Sequence, residues 1–237
     1  GYNLDSYLLE YSGIGKGDYR HTPLECVLPD GSYTTDFVYE GHRMTKGGYE
    51  NDCGLPFADG GSQTLTVWFR DKKYGSLRLF LNYTVFYDCD VIARNAELHN
   101  GEKGEVTVRK LMSVMMDLPE SDYSLLTLNG SWAKEAHIQE APVSYGIHVN
   151  DSTVGASSNR HNPAFLLKKR GADEERGDVL GFNLLYSGNL YSAVEKTHQD
   201  TLRLMLGINP HCFSWKLGAG ERFVTPQAVM TFSQRGI

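Results

Sequence analysis

DVLGFNLLYSGNLYSAVEKTHQDTLRLMLGIN, residues 178–209, carries the clearest structural signal in the chain. Apolar and polar residues alternate along it in three runs, which the polar segments SGN (187–189) and HQD (198–200) separate. Alternation with a period of two is typical of a strand with one buried face, and such short polar segments are typical of turns. The stretch therefore predicts three successive strands.

The same alternation recurs in the rest of the chain. It is clear in SLRLFLNYTVFYD (76–88) and EVTVRKLMSVMMD (105–117), and GAG (218–220) and Pro226 divide three shorter runs between 212 and 233. Further candidate strands lie at 24–28, 33–44, 63–71, 90–100, 123–130, 137–142 and 164–170. Roughly fourteen strands with almost no helical periodicity predict an all-β fold of large antiparallel sheets packed face to face.

Polar connections are predicted between these runs. NGSW (129–132) and VND (149–151) are predicted turns. One connection, KGGYENDCGLPFADGGSQ (46–63), is much longer and rich in glycine. Connections of that length in compact domains are usually functional or mobile.

The composition is that of an ordinary globular protein and argues against two kinds of partner. The 237 residues are 41% hydrophobic and carry a formal net charge of −6. Nucleic-acid binding needs a clustered basic surface, but acidic ADEER (172–176) directly follows the longest basic run, LLKKRG (166–171). No apolar stretch approaches the roughly 20 residues that span a bilayer, and the first residues do not form a secretion signal. We therefore expect neither nucleic acid nor a membrane as a partner.

The four cysteines are widely spaced and form no C-x-x-C pair: Cys26, Cys53, Cys89 and Cys212. A structural zinc site needs closer ligand pairs, so the sequence predicts no metal site, and no motif indicates a cofactor. The count also allows two disulfides. Reduced and mostly buried thiols in a cytoplasmic protein are nevertheless the expectation.

The motifs identify no catalytic residue. The glycines of GIGKGD (13–18) lack the preceding strand and following helix that a dinucleotide-binding loop requires. Glycoside hydrolysis needs two carboxylates around one bond, and Glu50 with Asp52 or Glu135 with Glu140 are candidate loop pairs. A sequence with 29 acidic residues offers such pairs by chance, so this signal is weak.

Three tryptophans have different expected roles. Trp68 and Trp215 lie in alternating runs and are predicted to pack in the core. Trp132 follows a predicted turn, where an indole can stack on a sugar ring or fill a seam between domains. Trp132 is therefore a weak candidate for substrate binding.

The polar segment STVGASSNRHNPAF (152–165) combines four hydroxyl side chains with Arg160 and His161. Such side chains hydrogen-bond to nearby backbone groups in irregular loops. We interpret the segment as a self-bonded loop that holds one sheet against another, or as a loop that contacts another domain.

Four long stretches can be compared with a known family. They begin EYSGIGKGDYRHTPLECVL, LTLNGSWAKEAHIQEAP, GFNLLYSGNLYSAVE and LGINPHCFSWKLGAGERF, and they span 10–47, 126–165, 181–195 and 206–237. Together they resemble the N-terminal domain of glycoside hydrolase family 36 α-galactosidases. The resemblance implies a single antiparallel β-supersandwich of the galactose-mutarotase-like type over residues 1–237. It also implies that this domain lacks its first strands and precedes a catalytic (β/α)8 barrel.

The resemblance also implies an activity for the parent enzyme. Enzymes of the family release terminal α-linked galactose from raffinose- and melibiose-type sugars with retention of configuration. In the family, an aspartate nucleophile in a K-W-D type motif and a second aspartate, the acid/base, lie at strand ends of the barrel, and an S-C-x-G-G-G motif helps to form the pocket. Neither motif occurs in this chain, so the chain alone is expected to be inactive. The expected partners are the barrel, galactosides bound by the full enzyme, and further copies in a dimer or tetramer.

The chain departs from the family where domains are expected to meet. The family's ARERH reads AKEAH (133–137), and its STRGASSHQHNP reads STVGASSNRHNP. Arginines are thereby lost at Lys134, Ala136 and Val154, and one is gained at Arg160. The resemblance implies that four residues face the barrel: His137, Arg160, His161 and Asn162.

The sequence leaves two alternatives open. A free-standing carbohydrate-binding module would use Trp132 and loop tyrosines as its platform. A mutarotase-like epimerase would need a histidine and a glutamate that converge on one concave sheet. His148 and His198 lie in strand-like runs, but neither has an obvious acidic partner in the sequence.

Overall fold

The computed structural model describes residues 3–157 and 159–237, and within them the protein consists of strands and connections without a helix. The first eight strands are β1 (Leu24–Val27), β2 (Phe37–Lys46), β3 (Gln63–Asp71), β4 (Leu77–Phe86), β5 (Val91–Asn100), β6 (Val106–Leu118), β7 (Tyr123–Ser131) and β8 (Lys134–Pro142). The other eight are β9 (Gly146–Asp151), β10 (His161–Lys169), β11 (Val179–Leu184), β12 (Leu190–Lys196), β13 (Leu202–Ile208), β14 (Trp215–Leu217), β15 (Glu221–Val224) and β16 (Ala228–Ser233). The described residues thus include no helix that could span a membrane.

These sixteen strands form two sheets, and every strand pairing is antiparallel. The large sheet has ten strands in the order β2-β3-β4-β5-β16-β11-β10-β7-β8, with β15 beside β5. The small sheet has six, in the order β1-β6-β13-β12-β9, with β14 beside β6. β11 lies in the large sheet while β12 and β13 pair in the small sheet, so the SGN turn carries the chain between sheets. The all-β prediction is confirmed.

The core lies between the facing surfaces of the two sheets. At one end, alternate residues of β4 in the large sheet, Leu77, Leu79 and Leu81, pack with residues of β1 and β6 in the small sheet. At the other end, β10, β11 and β16 pack against β12 and β13. The period-two pattern of the sequence therefore gives each central strand one apolar face, and burial of those faces stabilises the sandwich.

Two irregular segments cover the outer faces of the sheets. Residues 3–23 cross the small sheet, where Leu9 and Tyr11 pack on a methionine-rich cluster and the Tyr11 hydroxyl donates to the Met112 carbonyl at 2.8 Å. The long glycine-rich connection, 47–62, lies over the large sheet. Its Ala58 amide donates to Oε1 of Gln227 at 2.7 Å.

The structure corrects two predicted turns. Residues 149–151 belong to β9, because Asn150 pairs with Ser192 in the ladder and its carbonyl accepts the Ser192 hydroxyl at 2.7 Å. Residues 129–131 belong to β7, so the turn that follows contains only Trp132 and Ala133. Short polar segments resemble turns in sequence, but strand partners and side-chain hydrogen bonds satisfy these two within the sheets.

The cysteines also differ from expectation. None of the four is paired with another, but only Cys26 is buried, while Cys53, Cys89 and Cys212 are exposed. The last three lie in connections rather than on the core face of a strand. The expectation of mostly buried thiols was therefore wrong.

Candidate functional site

The residues assigned to a domain interface meet at one end of the large sheet. His161, at the start of β10, pairs with Asn129 of β7, and Asn129 pairs with His137 of β8. His161 and His137 thus flank Asn129, one on each side, on three neighbouring strands. Arg160 directly precedes this row, and its carbonyl accepts the Gly130 amide at 3.1 Å.

His161 connects the edges of the two sheets. Its Nδ1 lies 3.0 Å from Oδ1 of Asn129 in the large sheet and 3.0 Å from Oδ1 of Asn150 in the small sheet. Nδ2 of Asn150 donates to the Asn162 carbonyl at 3.2 Å. Amide oxygens accept hydrogen bonds, so Nδ1–H donates to them and fixes the imidazole. The ring thereby links an edge of the large sheet to an edge of the small sheet.

Beyond this row the β7–β8 hairpin projects into solvent, and we call residues 129–139 the arm. All nine residues of β8 are exposed, and Trp132 at the tip is 87% exposed. Ile138 is 68% exposed. Tryptophan is enriched at protein interfaces, so an exposed tryptophan on a projecting hairpin is a candidate interface contact.

Local geometry explains the shape of the arm. A Cβ on Gly130 would lie 1.9 Å from the Lys134 carbonyl oxygen, so only glycine fits at this irregularity in the β7–β8 ladder. Ala133 has φ of 60°, and its amide donates to Oε1 of Glu135 at 2.9 Å. Hydrogen bonds from the backbone amides of Glu135 and Ala133 hold the pKa of the Glu135 carboxyl below its ordinary value.

The polar loop next to the arm is bonded to itself and to the β11–β12 connection. The Ser152 hydroxyl donates to the Ala156 carbonyl at 2.5 Å, and the Gly155 amide donates to Oδ1 of Asn189 at 2.7 Å. These bonds support the interpretation of a loop that braces the sandwich. Ser158 lies outside the described residues.

In each candidate carboxylate pair, one member is paired with a cation. Glu135 and Glu140 lie on β8 rather than in a loop, and Glu140 accepts from Nζ of Lys168 at 2.9 Å. Asp52 forms an ion pair with Arg222. Among the described residues, no three His, Cys, Asp or Glu side chains come together as metal ligands do.

A second site, which the sequence reasoning missed, lies between the large sheet and the 47–62 connection. We call it the outer-face pocket. It has a volume of about 790 Å³. Its central lining residues come from β3, β4, β5 and β15: Trp68, Phe80, Asn82, Glu97, His99 and Arg222.

Glu97 is the centre of a hydrogen-bond network in this pocket. Oε1 accepts from the Tyr49 hydroxyl at 2.9 Å and from Nδ2 of Asn82 at 2.9 Å, and Oε2 lies 2.8 Å from Nε2 of His99. Burial alone would raise the pKa of Glu97, but the hydrogen bonds from His99, Asn82 and Tyr49 lower it overall. Glu97 is therefore a stable anionic acceptor and a poor general base.

The expected roles of several residues change accordingly. Trp68 lines the outer-face pocket, and Trp215 is 50% exposed, so the prediction that both pack in the core was wrong. Of the two histidines considered for epimerase chemistry, His148 contacts Ser144 and His198 lies in the turn after β12. Alternation along β5 does place Glu97 and His99 together on one face, but the covering connection that makes a pocket is far away in sequence.

Comparisons with known proteins agree with this fold. The sequence model described as "Glycosyl hydrolase family 36 N-terminal domain" matches residues 1–218. Alpha-galactosidase 2 of Hypocrea jecorina is 38% identical over 96% of this chain and 31% of its own length. Alpha-galactosidase AgaA of Geobacillus stearothermophilus is 35% identical over 100% of this chain and 33% of its own length.

Solved structures give the same result. The crystal structure of AgaA from Geobacillus stearothermophilus superposes with a TM-score of 0.94 over 99% of this chain and 33% of that chain, at 35% identity. The α-galactosidase from Lactobacillus brevis superposes with a TM-score of 0.91 over 96% of this chain and 31% of that chain, also at 35% identity.

The fold is thus a two-sheet antiparallel sandwich of the kind found as one domain within larger glycoside hydrolases. The chain belongs to glycosyl hydrolase family 36, and it is the N-terminal domain of that family. It spans about a third of the length of these relatives. The resemblance and the fold expected from it are both confirmed.

Proposed function

We propose that this chain is the non-catalytic N-terminal domain of an enzyme that hydrolyses terminal α-linked galactose from raffinose- and melibiose-type sugars with retention. The observation that carries this proposal is the match of the whole fold to α-galactosidases, with a TM-score of 0.94 and 35% identity for AgaA. A variant of that enzyme has been crystallised with raffinose. Retention requires a carboxylate nucleophile, a glycosyl-enzyme intermediate and its hydrolysis by water. We place that chemistry on a (β/α)8 barrel downstream of residue 237.

The arm is the part of this domain that we assign to the contact with the barrel. Trp132 is exposed at its tip and Ile138 is exposed further back on β8, opposite Leu128, while His161 and Asn162 stiffen its base. A rigid base with an apolar tip suits a contact that shapes the aglycone side of a neighbouring pocket. We assign the assembly of a dimer or tetramer to the same domain.

We also propose a cytoplasmic location. The four cysteines of the chain are all unpaired, and three are exposed. Exposed thiols persist in a reducing compartment, whereas oxidising compartments favour disulfides.

The test is hydrolysis of raffinose by the native protein, followed by NMR of the first product. The expected result is release of galactose that appears first as the α-anomer. Release of the β-anomer would overturn the retaining mechanism. A pure and folded native protein that leaves raffinose and melibiose intact would overturn the α-galactosidase assignment.

A binding-only module predicts a different result. It would bind galactosides through Trp132 without cleaving them. Trp132 stands alone at the tip of the arm at 87% exposure, whereas exposed tyrosines such as Tyr19 and Tyr87 lie on other segments. A planar platform of several rings is not formed there, so the geometry favours the domain interface.

A further inference from the structure

The outer-face pocket has the size of a small-molecule site and is open to solvent on one side. Its volume of about 790 Å³ lies within the roughly 300–1,000 Å³ of typical ligand pockets. Strands of the large sheet form the floor, and the 47–62 connection forms one wall. Both are fixed to each other, because Tyr49 of the connection donates to Glu97 of the floor at 2.9 Å. The pocket is therefore already formed before any ligand enters.

An aromatic surface lines one side. The Trp68 and Phe80 rings are stacked at 30° with centroids 6.2 Å apart, and Phe80 lies 4.3 Å from the His99 ring. Trp68 lies directly over Gly41, where a Cβ would come within 2.6 Å of the indole. The indole is thus held against a backbone without a side chain. The C–H groups of a sugar ring pack well on such an electron-rich face.

A polar surface faces the same space. Asn82 is buried, and its amide joins Thr66 to Glu97: the Thr66 hydroxyl donates to Oδ1 at 2.7 Å, and Nδ2 donates to Glu97 at 2.9 Å. These bonds fix the orientation of the amide and of the carboxylate. Fixed acceptors and donors beside an aromatic face are what recognition of a ring with several hydroxyl groups requires.

The charges of the lining select a neutral ligand. The lining has three arginines and three carboxylates: Arg43, Arg78, Arg222, Glu50, Asp52 and Glu97. Arg222 pairs with Asp52 and also lies 3.7 Å from Glu97. Arg78 pairs with Glu40 at 2.7 Å. Because the charges compensate one another, neither an anion nor a cation gains a net attraction.

We propose that the outer-face pocket binds a neutral saccharide through Trp68, Phe80 and the Asn82–Glu97 network. The pocket binds without transforming its ligand, because Glu97 already accepts three hydrogen bonds from the protein. A carboxylate held in this way does not remove a proton from a sugar hydroxyl. The inference rests on the side chains of this chain and is independent of the α-galactosidase assignment.

Hydrogen–deuterium exchange of the native protein tests the proposal locally. Galactose, glucose and sucrose serve as separate probes, and exchange is followed in peptides from residues 47–71 and 77–86. At least one probe is expected to slow exchange in both regions, and the dependence on sugar concentration gives a Kd. Because the readout is local, binding at another site in the protein is not mistaken for binding here.

Trp68→Leu is expected to raise the Kd of the sugar by at least about tenfold, because truncation of an aromatic side chain that a ligand covers has an effect of this size. Phe80→Leu is a second variant for the case in which Trp68→Leu does not fold, and unchanged urea midpoints identify the folded variants. Trp215→Leu is the matched control and should leave the Kd unchanged.

Three results would overturn the proposal. The first is that none of the three sugars slows exchange in residues 47–71. This result is also expected if another segment of the protein fills the pocket. The second is protection that folded Trp68→Leu and Phe80→Leu variants both retain. The third is acceleration of galactose mutarotation that these variants abolish, which would make the site catalytic rather than a binding site.

Discussion

Arg203 and Asp117 form a two-point ion pair inside the protein, with Nε to Oδ1 at 2.7 Å and Nη2 to Oδ2 at 2.9 Å. Both side chains are fully excluded from solvent. Nη1 of Arg203 also donates to Oδ2 of Asp18 at 2.8 Å and to the His21 carbonyl at 3.0 Å. One guanidinium therefore attaches the N-terminal segment to β6 and β13. The glycines of GIGKGD lead directly into Asp18, so this segment is an anchor rather than a phosphate-binding loop.

Replacing Arg203 should destabilise the domain strongly. Arg203→Met leaves the buried carboxylates of Asp117 and Asp18 with Arg20 alone of the two arginines that pair with them. Removing one partner of a buried ion pair costs about 3–5 kcal/mol. Urea unfolding measures the change. Arg170→Met is the control, because its pair with Asp122 is exposed and such pairs contribute about 0–1 kcal/mol. Equal midpoints for the two variants would contradict a structural role for the buried pair.

Stability should decrease in acid because of Asp18. Burial alone would raise the pKa of Asp18, but hydrogen bonds and charge from Arg20 and Arg203 lower it overall. The unfolded chain, with a pKa of about 3.9, therefore takes up the proton first as the pH falls. The stabilisation is complete above that pKa and is lost as the pH falls through the lower pKa of the folded state. Urea midpoints below about pH 4 should fall less steeply in Asp18→Asn than in the wild type, and parallel curves would contradict this assignment.

Gly130→Ala should disrupt the arm without unfolding the sandwich. The added Cβ would meet the Lys134 carbonyl at 1.9 Å, so the β7–β8 ladder must open at this point. Amide exchange in residues 129–139 should become faster while exchange in β13 stays slow. Gly75→Ala is the control, because a Cβ at Gly75 meets no atom within 4 Å. Unchanged exchange in the arm of Gly130→Ala would show that the carbonyl can move away at no cost.

Trp132→Ala should affect function but not folding. The side chain is 87% exposed, so the free energy of unfolding should change by less than about 0.5 kcal/mol. In the native protein, a tryptophan buried at an interface is worth about 2 kcal/mol. If the proposed function is right, its loss should weaken subunit or domain association, or raise KM, about tenfold or more with the chemical step kept. Arg160→Ala should act in the same direction. Tyr19→Ala is the control, since Tyr19 is 81% exposed on a different segment. A selective loss of the chemical step in the intact assembly would contradict an interface role.

The cysteines should react in two groups. Cys53, Cys89 and Cys212 are exposed and should be alkylated within the native protein. Burial, with a smaller contribution from the charge of Asp71, raises the pKa of Cys26 to about 12, so its thiol should react only after unfolding. Peptide mapping after iodoacetamide treatment, with and without urea, distinguishes the groups. Rapid native labelling of Cys26 would show that β1 separates easily from the core.

The strands were predictable wherever local alternation reports burial. β3 begins and ends where its alternating run does, at Gln63 and Asp71, and the SGN and HQD turns separate β11, β12 and β13 as expected. β9 was missed because Asn150 and Asp151 favour turns in isolation. The pairing with β12 makes that segment a strand, and this partner is distant in sequence: 42 positions separate Asn150 from Ser192.

The candidate sites were predictable only in part, because they too depend on contacts between residues that are distant in sequence. The predicted turn led to Trp132 and the polar segment 152–165 led to His161; the structure places Trp132 at the tip of the arm and His161 beside its base, paired with Asn129. The outer-face pocket depends on how the 47–62 connection crosses the sheet, so Tyr49 and Glu97 meet although 48 positions separate them. Period-two spacing predicts which face Glu97 lies on, but not whether water or another part of the chain covers that face.

The position of β8 at the end of the large sheet has a practical consequence. In the described part of the chain β8 hydrogen-bonds to β7 on one side only, and its other side is an open edge. Open strand edges add strands from other molecules and promote aggregation. Lys134, Glu135 and Glu140 along this edge oppose such pairing through their charge. When the domain is produced alone, without the surface that we expect to cover the arm, this edge is where copies will associate, and removal of those charges will lower its solubility.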